Sequence, residues 1–273
     1  MKAFQFSIIL FSLFLIASCS SPEKPGIEEE VIEKMKYDFL WDFREIETFK
    51  YSYEVTSIEN EALVRGEEGY SIKTEIIGDM IVDSHGDWTA SISIEDGSKT
   101  LFSLTDDGKW SPAKPQIISK SQIGKLTQYS KFNDSRLDAL WDAYLPLPLE
   151  EIEIGQKYKL IMTMPVSLED NKYIRGQNVL TFMGYETIQN RKCVVLAGKI
   201  DVSQQDELEF EGEYSHSLKG TGMYYFDTKD HIYVGADVEI TLSRKVDSGP
   251  KEDVKEDLFL ESQIIETFKI RLK

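Results

Sequence analysis

The sequence predicts a mainly β protein: a large antiparallel curved sheet, an open barrel or a sandwich, with one or two short covering helices. Two observations support this fold class. Apolar and polar residues alternate over segments of strand length, such as FKYSYEV (49–55), which places every second side chain on one face. Turn dipeptides separate these segments at short intervals, as hairpins require: Glu68-Gly69, His85-Gly86, Asp96-Gly97 and Asp107-Gly108.

Residues 1–18, MKAFQFSIILFSLFLIAS, have the pattern of a secretory signal peptide. Lys2 precedes an apolar run that is shorter than the ~20 residues of a membrane-spanning helix. IASC (16–19) resembles the lipobox of bacterial lipoproteins. The resemblance implies cleavage between Ser18 and Cys19, diacylglycerol on the Cys19 sulfur, and membrane attachment without a transmembrane helix. The alternative, an ordinary signal peptide with a chance cysteine, stays open.

Residues 19–35 are predicted to be a lipidated N-terminus and a linker. The polar, proline-containing stretch SSPEKPGIEEE (20–30) suits a tether, and residues 28–36 favour a short helix. Ser20 follows the cysteine where some lipoproteins have Asp, and in the Gram-negative sorting rule this implies the outer membrane. The β-rich domain is then expected over 36–273.

The chain is strongly acidic. It has 31 Lys and Arg residues against 48 Asp and Glu residues, a formal net charge of −17. This balance argues against nucleic acid as a partner and against electrostatic attachment to anionic lipid, because both would repel the chain. The membrane is therefore predicted to be contacted through the lipid on Cys19. Cys193 is then the remaining cysteine, so the fold must be held by core packing without an intramolecular disulfide.

Four aromatic residues alternate at the start of the folded part: Tyr37, Phe39, Trp41 and Phe43. Strict period two predicts a strand that carries the rings on one face. A helix would also align Phe39 with Phe43, but four aromatic side chains suit a pleated surface better.

A helix is predicted over 135–144, where Leu137, Leu140, Trp141 and Tyr144 share one face. The following LPLP (145–148) ends it, since proline cannot continue a helix. We expect this helix to cover the sheet as a lid or plug. It joins two possible halves of the domain, 36–132 and 145–273.

The second half reads as further strands, predicted at 157–164, 178–188, 191–202, 207–218, 222–227, 231–243 and 258–272. The pentapeptide IETFK occurs at 46–50 and again at 265–269, near both ends of the domain. One interpretation is that the two strands pair and help to close the sheet; chance similarity is the other. Glu47 and Glu266 would then lie two residues before a Phe of the apolar face, where a carboxylate is costly unless paired or solvated.

Three segments of the second half resemble a pattern of uncharacterised secreted bacterial lipoproteins. They are LPLPLEEIEIGQKYKL (145–160), GYETIQNRKCVVLAGKI (184–200) and GTGMYYFDTKDHIYVG (220–235). Tyr158 stands where the pattern usually has Trp. At the level of the fold alone, many long strands with a covering helix are similar to the half-barrel carriers LolA and LolB.

Motifs of known catalytic centres are absent from the sequence. It contains no GxSxG, HExxH or CxxC. The three histidines, His85, His216 and His231, suit turn or surface roles, and Cys193 beside a Val-Val-Leu run suits a small buried hydrophobe. We therefore predict no enzyme, no cofactor and no metal site.

Two functions remain open for a membrane-anchored lipoprotein of the bacterial envelope. In the first, an apolar small molecule binds in a β half-barrel, against Tyr37, Phe39, Trp41 and Trp141. In the second, these residues form a solid core, and the protein has a structural role or binds another envelope protein.

Overall fold

A computed structural model describes residues 39–127, 141–165, 173–208, 212–248 and 259–273. These residues form one antiparallel sheet of eleven strands, which confirms the predicted fold class. A short helical turn covers 141–144. The strands are β1 (Thr48–Ala62), β2 (Tyr70–Ser84), β3 (Thr89–Leu104), β4 (Trp110–Pro112), β5 (Gln116–Thr127), β6 (Lys157–Pro165), β7 (Tyr173–Ile188), β8 (Arg191–Leu208), β9 (Gly212–Asp227), β10 (Ile232–Asp247) and β11 (Phe259–Leu272).

The strand order is β4-β3-β2-β1-β11-β10-β9-β8-β7-β6, with β5 paired to β3 beside β4. Most strands pair with their neighbours along the chain. The exceptions are β5, which pairs with β3 and with neither β4 nor β6, and the pairing of β1 with the last strand, β11. The strand that begins within the first IETFK segment, β1, and the strand that contains the second, β11, therefore do pair, as one interpretation predicted. The pair joins the two ends of the domain, but the sheet stays open between β6 and the β4–β5 edge.

The core lies on one face of the sheet, which we call the inner face. Along β1 it receives Phe49, Tyr51 and Val55, and the facing strands add alternate residues such as Val238 and Phe268. Two segments lie against this face: residues 39–43 and residues 141–152 bring buried aromatic and aliphatic side chains to the same cluster. The inner face is thus partly covered by chain that does not belong to the sheet.

The strand expected from Tyr37 to Phe43 is wrong for its described part, 39–43, which is in no strand. The alternation itself is real, since Phe39, Trp41 and Phe43 are buried. Period two follows from any extended backbone, whereas a strand also needs a hydrogen-bonded neighbour. Residues 39–43 instead make isolated backbone hydrogen bonds, such as the one that the Asp42 N–H donates to the His231 carbonyl at 3.0 Å.

Two boundaries also differ from the expectation. Asp96-Gly97 does not end a strand, because β3 runs through it with a bulge opposite Gly78 and with Asp96 at a φ of 46°. The strands predicted at 207–218 and 222–227 are parts of β8 and a single β9, which continues through Gly220 and Gly222. The polar residues after 111, left unassigned from the sequence, form β5.

Candidate functional site

The predicted ligand-binding residues divide between described and undescribed parts of the chain. Phe39, Trp41 and Trp141 lie together in the core, with 2%, 0% and 5% of their surfaces exposed. Tyr37 lies outside the described residues, as do Ser18 and Cys19 and the linker. The ligand-binding role of these aromatic residues stays a prediction.

The aromatic rings of this region pack against one another on the inner face. The Trp41 ring lies 5.3 Å from both Phe43 and Tyr233, and the Phe226 ring lies 5.2 Å from Tyr233 and 5.8 Å from Phe39. Tilted and edge-on pairs of this kind add about 0.5–1.5 kcal/mol each beyond the burial of their surface. The rings named by the sequence prediction are therefore part of a packed cluster.

Three buried side chains of the sheet hold the segment that begins with the helical turn 141–144. The Tyr224 hydroxyl donates to the Ala143 carbonyl at 2.6 Å, and the Asn178 amide donates to the Asp142 carbonyl at 3.1 Å. The Tyr233 hydroxyl donates to the Pro146 carbonyl at 2.5 Å. Carbonyls at the end of a helix lack partners within the helix, so these side chains supply the partners that a buried helix end needs.

Glycines make room for one of these tyrosines. A Cβ atom on Gly222 would lie 2.2 Å from the Tyr224 hydroxyl oxygen, and one on Gly198 would lie 2.8 Å from the Tyr224 ring. The ring therefore lies flat over the two glycines of adjacent strands. Sequence analysis did not identify this role, although the GTGMYYFD segment (220–227), in which Gly222 lies two residues before Tyr224, carries the signal.

One carboxylate faces the inner side of the sheet beside the helical turn. Glu266 accepts a hydrogen bond from the Tyr144 hydroxyl, and the Tyr144 ring stacks on Phe268 at 4.6 Å. Burial raises the pKa of Glu266, which the Tyr144 hydrogen bond partly opposes. Burial also raises the pKa of Tyr144 well above its ordinary value, and the Glu266 charge adds to that shift. Its counterpart in the repeat, Glu47, is exposed and does not face the core.

Beyond Glu266 the inner face continues with aliphatic side chains that are partly exposed. They lie on β2, β10 and β11 at positions that share the inner face through the strand register: Ile72, Ile76, Leu242 and Ile264. Ile76 and Leu242 pack against the core, whereas Ile72 has 38% of its surface exposed. We call these four residues the inner strip. Glu59 of β1 lies between Ile72 and Ile264 on the same face, so the strip carries a second carboxylate besides Glu266. A surface of aliphatic side chains with two carboxylates beside a packed core suits a ligand with an apolar body and a polar end.

The outer face carries a groove of a different character, with a volume of about 530 Å³. Its polar lining includes Glu54, Asp237 and Glu239 around Lys269. The Asp237 carboxylate also pairs with Arg271. Ala197, Met223 and Val238 also line this groove, so its three carboxylates lie on a surface that is otherwise largely apolar.

Cys193, His216 and His85, which the sequence analysis named, lie in surroundings that suit structural roles. The Cys193 side chain is buried, and burial raises the pKa of its thiol to about 11. His216 is buried, and burial together with the Arg244 charge lowers its pKa. His85 lies in the turn after β2, where Nε2 is 2.7 Å from the Ser91 hydroxyl. Among the described residues, no group of three or more His, Cys, Asp and Glu side chains is placed to hold a metal ion.

Comparisons with known proteins give only distant similarities. No protein-family model and no curated protein matches the chain. Among solved structures, it is similar to lipovitellin, from a study of lipid–protein interactions, with 14% identity and a TM-score of 0.42, over 85% of this chain and 25% of that one. The chain thus spans about a quarter of that protein's length. It is also similar to a DUF1329 family protein from Desulfovibrio piger, with 11% identity and a TM-score of 0.16, over 85% of this chain and 88% of the other.

No helix within the described ranges is long and apolar enough to span a bilayer.

Proposed function

We propose that the chain is a lipid-anchored protein of the bacterial cell envelope that holds an apolar small molecule against the inner face of its sheet. The anchor is the lipid on Cys19, and Ser20 favours the outer membrane. The proposal assigns no catalytic step to the chain, and it excludes nucleic acid as a partner because the net charge is −17.

The observation that carries the binding proposal is the inner strip. Its aliphatic side chains continue the core surface but remain partly exposed, so an apolar ligand can remove further apolar area from water there. Tyr144 and Glu266 adjoin the strip and offer a hydroxyl and a carboxyl group. A ligand with an apolar body and a polar end fits these groups.

Two measurements on the purified full-length protein test ligand binding. Native mass spectrometry detects a lipid that co-purifies with the protein, and uptake of an apolar dye measures binding to the inner face. Ile72→Asp, on the inner strip, is expected to reduce dye uptake, because a carboxylate there would be buried by the ligand. Ile77→Asp is the matched control: it lies on the same strand but on the outer face, with 55% exposure. Equal uptake by both variants and the wild type would contradict the proposal.

The anchor is tested separately by metabolic labelling with palmitate. The Cys19→Ser variant is expected to remain an uncleaved precursor without label, since the sulfur that carries the lipid is gone. Wild-type labelling of this variant would show that Cys19 is not the attachment point.

A second function is favoured by the packing of the aromatic cluster. Trp41 is fully buried and touches three other rings, as expected for a solid core. In that case the protein is a structural or interaction lipoprotein without a ligand. Absence of bound lipid in several expression hosts, together with no displaceable dye uptake, would favour this second function.

A further inference from the structure

Two large apolar side chains are exposed at one end of the sheet. Ile46 has 85% and Trp88 has 46% of its surface exposed. Ile46 packs against Gly86, whose Cβ position lies 3.0 Å from the Ile46 side chain, and Trp88 follows in the same turn between β2 and β3. We call Ile46 and Trp88 the end patch. Exposed apolar residues are ordinary when single, but two beside one turn form a small surface.

The backbone on the Ile46 side of the end patch is held in place. The Ser84 hydroxyl donates to the Phe43 carbonyl at 3.1 Å and to the Glu45 carbonyl at 2.7 Å. The Ser84 N–H donates to the Glu47 carbonyl at 2.8 Å. Ile46 therefore projects from a segment that is fixed to the sheet on both sides.

The Trp88 side is held in an uncommon backbone conformation. Trp88 has a φ of 68°, which is unfavourable for a bulky side chain. Its N–H donates to the Phe43 carbonyl at 3.3 Å, and the next residue, Thr89, donates to the Asp87 carboxylate through its hydroxyl at 2.6 Å. Strained residues that the surrounding structure maintains are concentrated at functional sites. Here the strain presents an indole ring to the solvent.

The charges around the end patch are mainly negative. The Arg44 guanidinium lies over the Trp88 ring at 5.8 Å, but it also pairs with Asp42 at 2.5 Å. The other charged residues of the same loop and turn include Glu45, an exposed carboxylate. An anionic surface would therefore be repelled, whereas a neutral one would not.

The described chain begins at the same end of the domain as the end patch, so a lipid on Cys19 would bring a membrane within reach of this end. The described chain begins at Phe39, whose ring lies on Phe226 next to the end of β9, at the same end of the sheet as the end patch. Between Cys19 and Phe39 there are 19 residues, which reach at most about 65 Å when fully extended. A lipid on Cys19 would keep the end patch at a high local concentration beside the bilayer, so that a weak contact is sufficient.

We propose that Ile46 and Trp88 insert into the interfacial layer of the membrane that carries the lipid anchor, so that the domain lies against the bilayer by this end. Tryptophan is enriched at this layer because it combines an apolar ring with an N–H donor. The contact rests on the proposed anchoring through Cys19. The acidic surroundings make neutral phospholipid the preferred surface.

The test uses the full-length lipidated protein in phosphatidylcholine vesicles whose acyl chains are brominated. Bromine quenches tryptophan emission at short range, and the emission of Trp88 is expected to be quenched. Trp88→Phe is expected to remove most of this quenching, because Trp41 and Trp141 are buried. Trp110→Phe is the matched control, since Trp110 pairs with the opposite end of β3 and its loss leaves the quenching in place.

Ile46→Ser is a second variant that leaves the fold intact, because the side chain is almost fully exposed. It is expected to weaken the quenching of Trp88, and so is the addition of phosphatidylglycerol. Vesicles that float with the protein but leave Trp88 unquenched would overturn the contact and leave the anchor in place. Failure to float would overturn the anchor and the contact together. A blue shift of Trp88 emission that grows with protein concentration in detergent would identify a second copy as the occupant and overturn the membrane contact.

Discussion

Tyr224→Phe is the substitution that tests how the segment after the helical turn is held. The Tyr224 side chain is fully buried, and its hydroxyl donates to the Ala143 carbonyl at 2.6 Å. Phenylalanine keeps the ring over Gly222 and opens no space for a void. The substitution therefore removes the two interactions of the hydroxyl, the hydrogen bond to the Ala143 carbonyl and the one with the Asn178 side chain.

The cost follows from the carbonyl that remains. Ala143 is fully buried, so its carbonyl oxygen has no route to bulk solvent once the hydroxyl is gone. Leaving a buried acceptor unpaired costs about 1–3 kcal/mol, more than the net contribution of an average hydrogen bond. For a domain of this size, each kcal/mol lowers the melting temperature by about 2–4 °C.

The assay is equilibrium unfolding in urea, followed by circular dichroism. Tyr225→Phe is the matched control: the same change, one residue along β9, on the opposite face, where the half-buried ring lies under Arg271 at 5.5 Å. Its effect is expected to be within about 0.5 kcal/mol, as for most partly exposed substitutions. If the two variants unfolded at the same urea concentration, the Tyr224 hydroxyl would not hold Ala143.

Three further predictions follow from the same region and from the buried thiol. Gly222→Ala places a methyl group 2.2 Å from the Tyr224 hydroxyl oxygen, so the ring must move and lose its hydrogen bond. We expect a loss of about 2–4 kcal/mol in the same urea assay, and a loss no larger than that of Tyr224→Phe would contradict the predicted clash. The raised pKa of Glu266 means that its protonated form favours the folded state. This contribution is complete below the unfolded pKa of about 4.3 and is lost as pH rises through the folded pKa. Glu266→Gln, which still accepts from Tyr144, should therefore gain stability over the wild type as the pH rises to 7, and parallel pH profiles would refute the burial of the charge. The Cys193 thiol, with its pKa raised to about 11, should react about a hundredfold more slowly with a thiol reagent at pH 7 in the native state than in urea; equal rates would place the thiol at the surface.

The strands were largely predictable because alternation is a local property. Phe49, Tyr51 and Val55 lie at alternate positions of β1 and face the core, as their spacing indicated. Tyr53, between them on the same face, is partly buried. The predicted strands 178–188 and 191–202 also left a two-residue turn at Gln189-Asn190. In the structure both residues adopt a positive φ, of 51° and 63°. Local chemistry was sufficient at these places.

Local chemistry was insufficient where the partner decides the outcome. Phe39 and Trp41 alternate like a strand, yet this segment has no ladder partner and packs against the core on the inner face. Asp96-Gly97 has the composition of a turn, but its neighbours on both sides continue to pair with β2, so it forms a bulge. In each case, the same local pattern is compatible with two structures that differ only in distant contacts.

The sequence by itself determined that the protein is mainly β and where most of its strands and turns lie. These properties depend on composition and on short-range periodicity. The tertiary structure decided which side chains meet. Tyr144 and Glu266 are 122 residues apart, and Tyr224 and Ala143 are 81 apart. Such contacts depend on the register of several strands at once, because a shift of one residue turns every side chain of a strand to the opposite face.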